Sequence, residues 1–164
     1  MQTNSEIYQV EDLKYRITDP TNKWVEVVGK VEPYVEDVII PSSITIGGEE
    51  YEVTSIGEEA FKCSGLLSIA IPSSVISIGN SRFYGCEYLT QIKVAPDNPV
   101  YDSRNNCNVI IETKSNTLIQ GCAKTIPPSS VTSIGDKAFR DCSSLSSITL
   151  PSSVTSIGER AFSC

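Results

Sequence analysis

The sequence predicts a mainly β solenoid, a superhelix of short strands with one-turn helical corners and an N-terminal β-hairpin cap. Three observations carry that expectation. Ser-Ile-Gly followed four residues later by Phe recurs at 55–61, 77–83, 133–139 and 156–162, and these motifs account for all four phenylalanines of the chain. Alternating apolar runs end repeatedly at proline, at Pro41, Pro72, Pro96, Pro127 and Pro151. Ile and Val number 33 against 13 for Leu and Ala, a balance that favours strands over helices. A coil of about 23 residues cannot cover its own apolar face, so stacking copies at the roughly 4.8 Å spacing of paired strands is the solution that buries it.

The first element, residues 1–37, reads as a cap. LKYRI (13–17) and WVEVV (24–28) flank a DPTNK turn, the pattern of a hairpin. A stack of coils exposes apolar columns and unpaired strand groups at its ends, so a terminal unit is needed there, with Trp24, the single tryptophan, expected to plug it. Ile44-Thr45-Ile46 and Glu50-Tyr51-Glu52-Val53 form a second hairpin, because Gly47-Gly48 supplies the positive φ angles of a two-residue turn.

The solenoid then runs over 38–164. In Leu66-x-x-Ile69-x-Ile71, Leu89-x-x-Ile92-x-Val94 and Leu145-x-x-Ile148-x-Leu150, alternation gives a strand with one buried face. Proline ends each run because it has no donor for a ladder, and Ser-Ser after Pro41, Pro72, Pro128 and Pro151 suits a turn. Ile56, Ile78, Ile134 and Ile157 are expected to point inward, with Gly57, Gly79, Gly135 and Gly158 permitting a bend closed to other residues and the phenylalanines stacking beyond it. A hairpin insertion lies at about 97–125, with NVIIETKSNTLIQG folding around Lys114-Ser115. That turn pairs positions summing to 229, which sets Cys107 opposite Cys122 as a candidate disulfide. The other cysteines, Cys63, Cys86, Cys142 and Cys164, share one corner of successive coils and read as small buried residues beside Phe.

These residues resemble the BspA-type bacterial leucine-rich repeat family, whose repeat reads approximately L-x-x-I-x-L-P-x-S-V-x-x-I-G-x-x-A-F-x-x-C. The similarity covers about Val38 to Cys164, with local departures at Arg82, at the spacing of Phe61 to Cys63 and Phe162 to Cys164, and at Pro127-Pro128. It implies a right-handed leucine-rich repeat superhelix and an extracellular or bacterial cell-surface location, any signal sequence having been removed, since MQTNSEIYQV lacks the basic-then-apolar plan of one.

Composition narrows function further. A net charge of -7 disfavours an electrostatic grip on nucleic acid, and no apolar run approaches the length of a membrane-spanning helix. The charge is uneven: thirteen acids and five bases in 1–62, seven acids and eight bases in 63–164. Absence of histidine removes the commonest general base and metal ligand. Glu49-Glu50, Glu58-Glu59 and Glu36-Asp37 are paired carboxylates, but they fall on turns or outer surface instead of a cleft, which disfavours a polysaccharide hydrolase. Asp97, Asp102, Asn105 and Asn106 lack the order of a calcium loop. No cofactor, metal or catalytic residue is expected.

The expected role is non-enzymatic recognition of a host or bacterial surface protein or glycan, probing with the outward positions of the strand ladder: Ser68, then Thr90, Gln91 and Lys93, then Ser147 and Thr149, with Leu67, Ala70 and Ser146 beside them. Tyr88 joins that face, and Tyr84 and Tyr101 are alternative contacts. A spacer or assembly element without its own ligand is the competing expectation. The sequence stops at Cys164, where a next strand would begin, so the expectation is either a longer natural protein or an end-to-end homodimer through that coil.

Overall fold

The computed structural model describes residues 6–31, 37–62, 65–80, 83, 85 and 87–163. Fourteen strands are present among them: β1 (Ile7–Val10), β2 (Leu13–Asp19), β3 (Trp24–Lys30), β4 (Asp37–Ile39), β5 (Ser43–Ile46), β6 (Glu49–Ile56), β7 (Ser68–Ile71), β8 (Ser77–Ile78), β9 (Gln91–Val94), β10 (Tyr101–Asp102), β11 (Ile110–Glu112), β12 (Thr117–Gln120), β13 (Ser133–Ile134) and β14 (Ser156–Ile157). The coils stack through two kinds of parallel ladder. In the first, β4, β7 and β9 align Val38, Ile69 and Ile92, all buried. In the second, the Ser-Ile-Gly segments pair: Ile56 with Ile78, and Ile134 with Ile157. Ile69 and Ile92, Ile56 and Ile78, and Ile134 and Ile157 lie 22 or 23 residues apart, which is the sequence repeat expressed as strand pairing, whereas Val38 and Ile69 lie 31 apart because the β5–β6 hairpin falls between them.

The cap joins this second ladder. β1, β2 and β3 form an antiparallel meander, and β3 then pairs in parallel with β6, placing Val27 beside Ile56. The β2–β3 turn closes on Asp19, whose carboxylate accepts the Thr21 and Asn22 amides at 2.9 Å each. Tyr15, Val25 and Val27 cover the end of the core, whereas Trp24 is 37% exposed. The expected plug is therefore Tyr15, because Trp24 opens β3 on the alternating face that points outward. The β5–β6 hairpin forms as expected, with Gly47 and Gly48 at φ 60° and 85°.

The insertion starts a second sheet, which the later Ser-Ile-Gly strands join. β10 pairs with β11, β11 with β12, and β12 in parallel with β13, so that Leu118 occupies the layer above Ile134. Ile110 packs into the N-terminal core cluster and Ile111 into a second, C-terminal one, so β11 is a partition buried on both faces. The phenylalanines stack in two pairs on either side of it: Phe61 on Phe83 at 5.6 Å and Phe139 on Phe162 at 5.0 Å between centroids.

Three expectations are corrected. The corners are not helical turns. Gly57, Gly135 and Gly158 each open a β-turn closed by Ala60, Ala138 and Ala161, in which Glu59, Lys137 and Arg160 adopt φ of 54°, 56° and 52°. A left-handed residue ends any right-handed helix, and the freed amides of Lys137, Phe139 and Asp141 instead donate to Glu159, Ala161 and Ser163 of the next coil. The motif glycines do not supply positive φ. They permit close approach: a Cβ on Gly79 would lie 2.6 Å from the Glu58 nitrogen, and one on Gly158 would lie 2.5 Å from the Asp136 nitrogen. Finally, residues 145–150 form no strand. Their neighbours at 122–125 are folded into a turn by Thr125, whose amide donates to the Cys122 carbonyl (3.2 Å) and whose hydroxyl accepts the Cys122 amide (2.8 Å), leaving no straight partner to extend the ladder.

Candidate functional site

The outward face of β4, β7 and β9 is built by alternation. Once Val38, Ile69 and Ile92 point inward, the residues on either side must point out. Two rungs result: Asp37, Ser68 and Gln91, and then Ile39, Ala70 and Lys93. The Ser68 hydroxyl donates to Asp37 Oδ1 at 2.5 Å, while Ile39 is 78% exposed. Thr90 immediately precedes β9, with its amide donating to the Leu67 carbonyl at 2.9 Å and its hydroxyl at 3.4 Å, so it is tied to the preceding coil. Tyr88 stands 61% exposed just before it. The structure thus brings Ser68, Thr90, Gln91, Lys93 and Tyr88 onto two adjacent coils. Ser147 and Thr149 are exposed, but on the unpaired 145–150 segment, outside this ladder. Tyr101 is buried in the core and is not a surface contact, and Tyr84 lies outside the described residues.

Cys107 and Cys122 are both free thiols. The register sums to 229 at Ile111–Leu118 and Glu112–Thr117, but a bulge at Ile119 shifts it to Ile110–Gln120. Beyond the bulge Cys122 meets Asn108, to whose carbonyl its Sγ donates at 3.3 Å. A one-residue slip reverses facing, and the two thiols accordingly enter different core clusters. Burial pushes the Cys107 thiol up to about 11 and raises that of Cys122. Cys142 is half-buried, and Cys63, Cys86 and Cys164 lie outside the described residues.

One feature escaped the sequence reading. A cleft of about 470 Å3 opens between the end of β9, at Lys93, Val94 and Pro96, and a single 3-10 turn at Arg104–Asn106. Asn105 and Asn106 are left-handed there, at φ 59° and 52°. Asp102 is committed to Arg104, accepting its Nε at 2.7 Å, its Nη2 at 2.5 Å and its backbone amide at 3.1 Å, and it also accepts the Thr113 hydroxyl at 3.0 Å. Burial raises the Asp102 pKa, but the Arg104 and Thr113 hydrogen bonds outweigh it, and the net direction is down. Asp97 and Asp102 therefore do not act as a shared cation cradle. Paired asparagines after an arginine were the only sequence signal, and they mark turns generally.

A family model described as BspA type leucine rich repeat region matches residues 35–112 and 111–164, in six copies. The chain belongs to this family. Its six copies exceed the four Ser-Ile-Gly motifs by two. Among solved structures of leucine-rich repeat proteins, one from Eubacterium ventriosum is 28% identical with a TM-score of 0.62, covering 79% of this chain and 33% of that one. Another, from Bacteroides ovatus, is 30% identical with a TM-score of 0.56, covering 95% and 32%. The BspA-type chain thus spans about a third of the length of these two proteins. A leucine rich cell surface protein from Faecalibacterium prausnitzii, at 23% identity and a TM-score of 0.57, covers 96% of this chain and 46% of its own and shares the fold. No curated protein shows significant similarity. No helix among the described residues is long and apolar enough to cross a membrane.

Proposed function

We propose that this BspA-type chain is a non-enzymatic recognition module of a cell-surface or secreted bacterial protein, contacting a host or bacterial surface protein or glycan through the outer face of β7 and β9. The observation that carries this reading is the registered pair of outward rungs, Asp37–Ser68–Gln91 and Ile39–Ala70–Lys93, exposed at both ends and half-buried at Ser68 and Ala70, fixed on strands whose other face is buried. A rigid, extended surface of this kind holds side chains in place without the entropic cost of ordering loops. Among the described residues, the carboxyls whose titration the surroundings displace, Asp19, Glu49 and Asp102, are held down, Asp19 by the Asn22 amide and Glu49 by Lys23, whereas an acid catalyst needs one held up.

Binding to an array of matrix proteins and glycans tests this reading. Capture that is lost in Gln91→Ala or Lys93→Glu supports it, and silence across the array moves the weight to a structural spacer.

A further inference from the structure

We propose that the cleft between the end of β9 and the Arg104–Asn106 turn binds an acidic saccharide, a unit carrying a carboxylate beside ring hydroxyls. The inference rests on the recognition reading above and names the ligand class for one end of that face. Its starting point is the break in the ladder. A regular stack would place another strand beside β9, but the chain at 122–125 turns away, and the space at the end of β9 opens as a cleft of about 470 Å3, in the size range of small-ligand sites.

The cleft is poorly suited to an added peptide strand. Such a strand would take its register from the backbone of β9, and the Val94 amide is already donated to the Ser103 hydroxyl at 2.9 Å. Recognition there falls to side chains. Lys93 is exposed and forms no ion pair among the described residues, and the Asn105 and Asn106 amides make no hydrogen bond among them. Each amide offers a donor pair and an acceptor, which matches neighbouring hydroxyls on a sugar ring. Val94 and Pro96 supply the apolar wall against which the C–H face of a ring rests.

Charge selects the acidic member. Arg104 is spent on Asp102, Asn116 at 3.0 Å and Ser130 at 3.1 Å, so the cation and anion of that pair cancel and Lys93 remains as the uncompensated charge. The same network fixes the turn. With Arg104 anchored at three points, Asn105 and Asn106 are held in left-handed conformations that present their amides before any ligand arrives.

The test is a chemical-shift titration of the whole chain with digalacturonate, with neutral digalactose and triglutamate peptide as comparators. The expected result is a millimolar transition confined to Lys93, Asn105, Asn106 and their neighbours, about tenfold weaker for digalactose and for Lys93→Glu. The double variant Asn105→Gly/Asn106→Gly keeps the positive φ while removing both amides, and is expected to lose binding with thermal unfolding unchanged. Unmoved cleft signals with digalacturonate overturn the proposal, as does triglutamate binding there equally well. A partner found on the array whose capture needs Gln91 but survives the double glycine variant would also overturn it, while leaving the recognition reading intact. Absence of any partner together with an unmoved cleft defeats both.

Discussion

Gly121 carries the most demanding prediction. It follows β12 and faces Phe139, the ring that stacks on Phe162 at 5.0 Å. A Cβ built on Gly121 would lie 2.7 Å from Phe139 Cδ1 and closer still to Cε1 and Cζ, where carbon–carbon contacts normally begin near ~3.5 Å. The ring must retreat by roughly 1.5 Å, and Phe162 lies against it. Overpacking of this kind costs about 1–3 kcal/mol, offset by about 0.4–1 kcal/mol from the lower entropy of an unfolded chain with alanine, so Gly121→Ala should lose about 1–2 kcal/mol. Gly135→Ala is the internal comparator, because its Cβ would meet the Leu118 carbonyl at 3.1 Å, a contact that yields by a few tenths of an ångström. Urea unfolding followed by far-ultraviolet circular dichroism measures both. In the double variant Gly121→Ala/Phe139→Leu, the smaller side chain vacates the collision, so the two losses should be less than additive. Equal losses for the two glycine variants, or additive losses in the double variant, would refute the packing described for this layer.

The remaining predictions address other joints. Asn98 donates its Nδ2 to the Pro72 and Val75 carbonyls (2.9 and 2.8 Å) and accepts the Val100 and Tyr101 amides (2.9 and 2.8 Å); Asn98→Ala should cost about 2–3 kcal/mol in urea unfolding, and Asn98→Asp should cost a similar amount because it loses the two donors. The pKa of Asp102 is lower folded than unfolded, so its stabilisation is complete above the ordinary value of 3.8 and is lost as pH falls through the folded value. Asp102→Asn should therefore lower stability by about 1–2 kcal/mol at neutral pH and flatten its decline below pH ~4, as read from midpoints across a pH series. Raising Cys107 from 9.0 to about 11 leaves about a hundredth of the thiolate, so alkylation of the native chain should spare Cys107 and Cys122, with mass spectrometry of the unfolded chain finding both modified and no link between them.

Periodicity made the stack legible, since it identifies which residues face inward. Ile56, Ile78, Ile134 and Ile157 do share ladders, and each phenylalanine does stack on a neighbour. Ile157 at the last coil stays 55% exposed because no described layer covers it. Backbone conformation at the corners was not legible, because periodicity says nothing about φ. The left-handed positions fall on Glu59, Lys137 and Arg160, long polar residues with no turn signature, while the adjacent glycines serve the next coil's approach. The Cys107–Cys122 pairing failed for a related reason. A sum of residue numbers fixes register only until a bulge, and Ile119 inserts one without any Gly or Pro to announce it. Of the candidate face, the two rungs on β7 and β9 followed from alternation, whereas the cleft beside Lys93 depends on where the next coil fails to go.

That failure and the separate sheet from β10 to β14 have one cause. Val109, Ile110 and Ile111 are apolar in succession, and a strand with such a run buries both faces or exposes one at a cost of about 1.5–3 kcal/mol per residue. A protruding hairpin would offer one apolar side at most. Between two halves of a stack both sides are apolar, and β11 takes that place, with Ile110 facing one core and Ile111 the other. Once β11 and β12 are in place, the chain leaves β12 through Gly121 and must turn at once, because Cys122 and Thr125 are held by the Asn108 carbonyl, two residues before the partition. The outer ladder therefore ends at β9, while a separate five-stranded sheet runs from β10 to β14. A repeat protein that stacks without interruption presents the same surface at every layer. Here the residues that seal the core are the ones that end the ladder, and they leave Lys93 at the edge of a cleft with a rigid turn opposite.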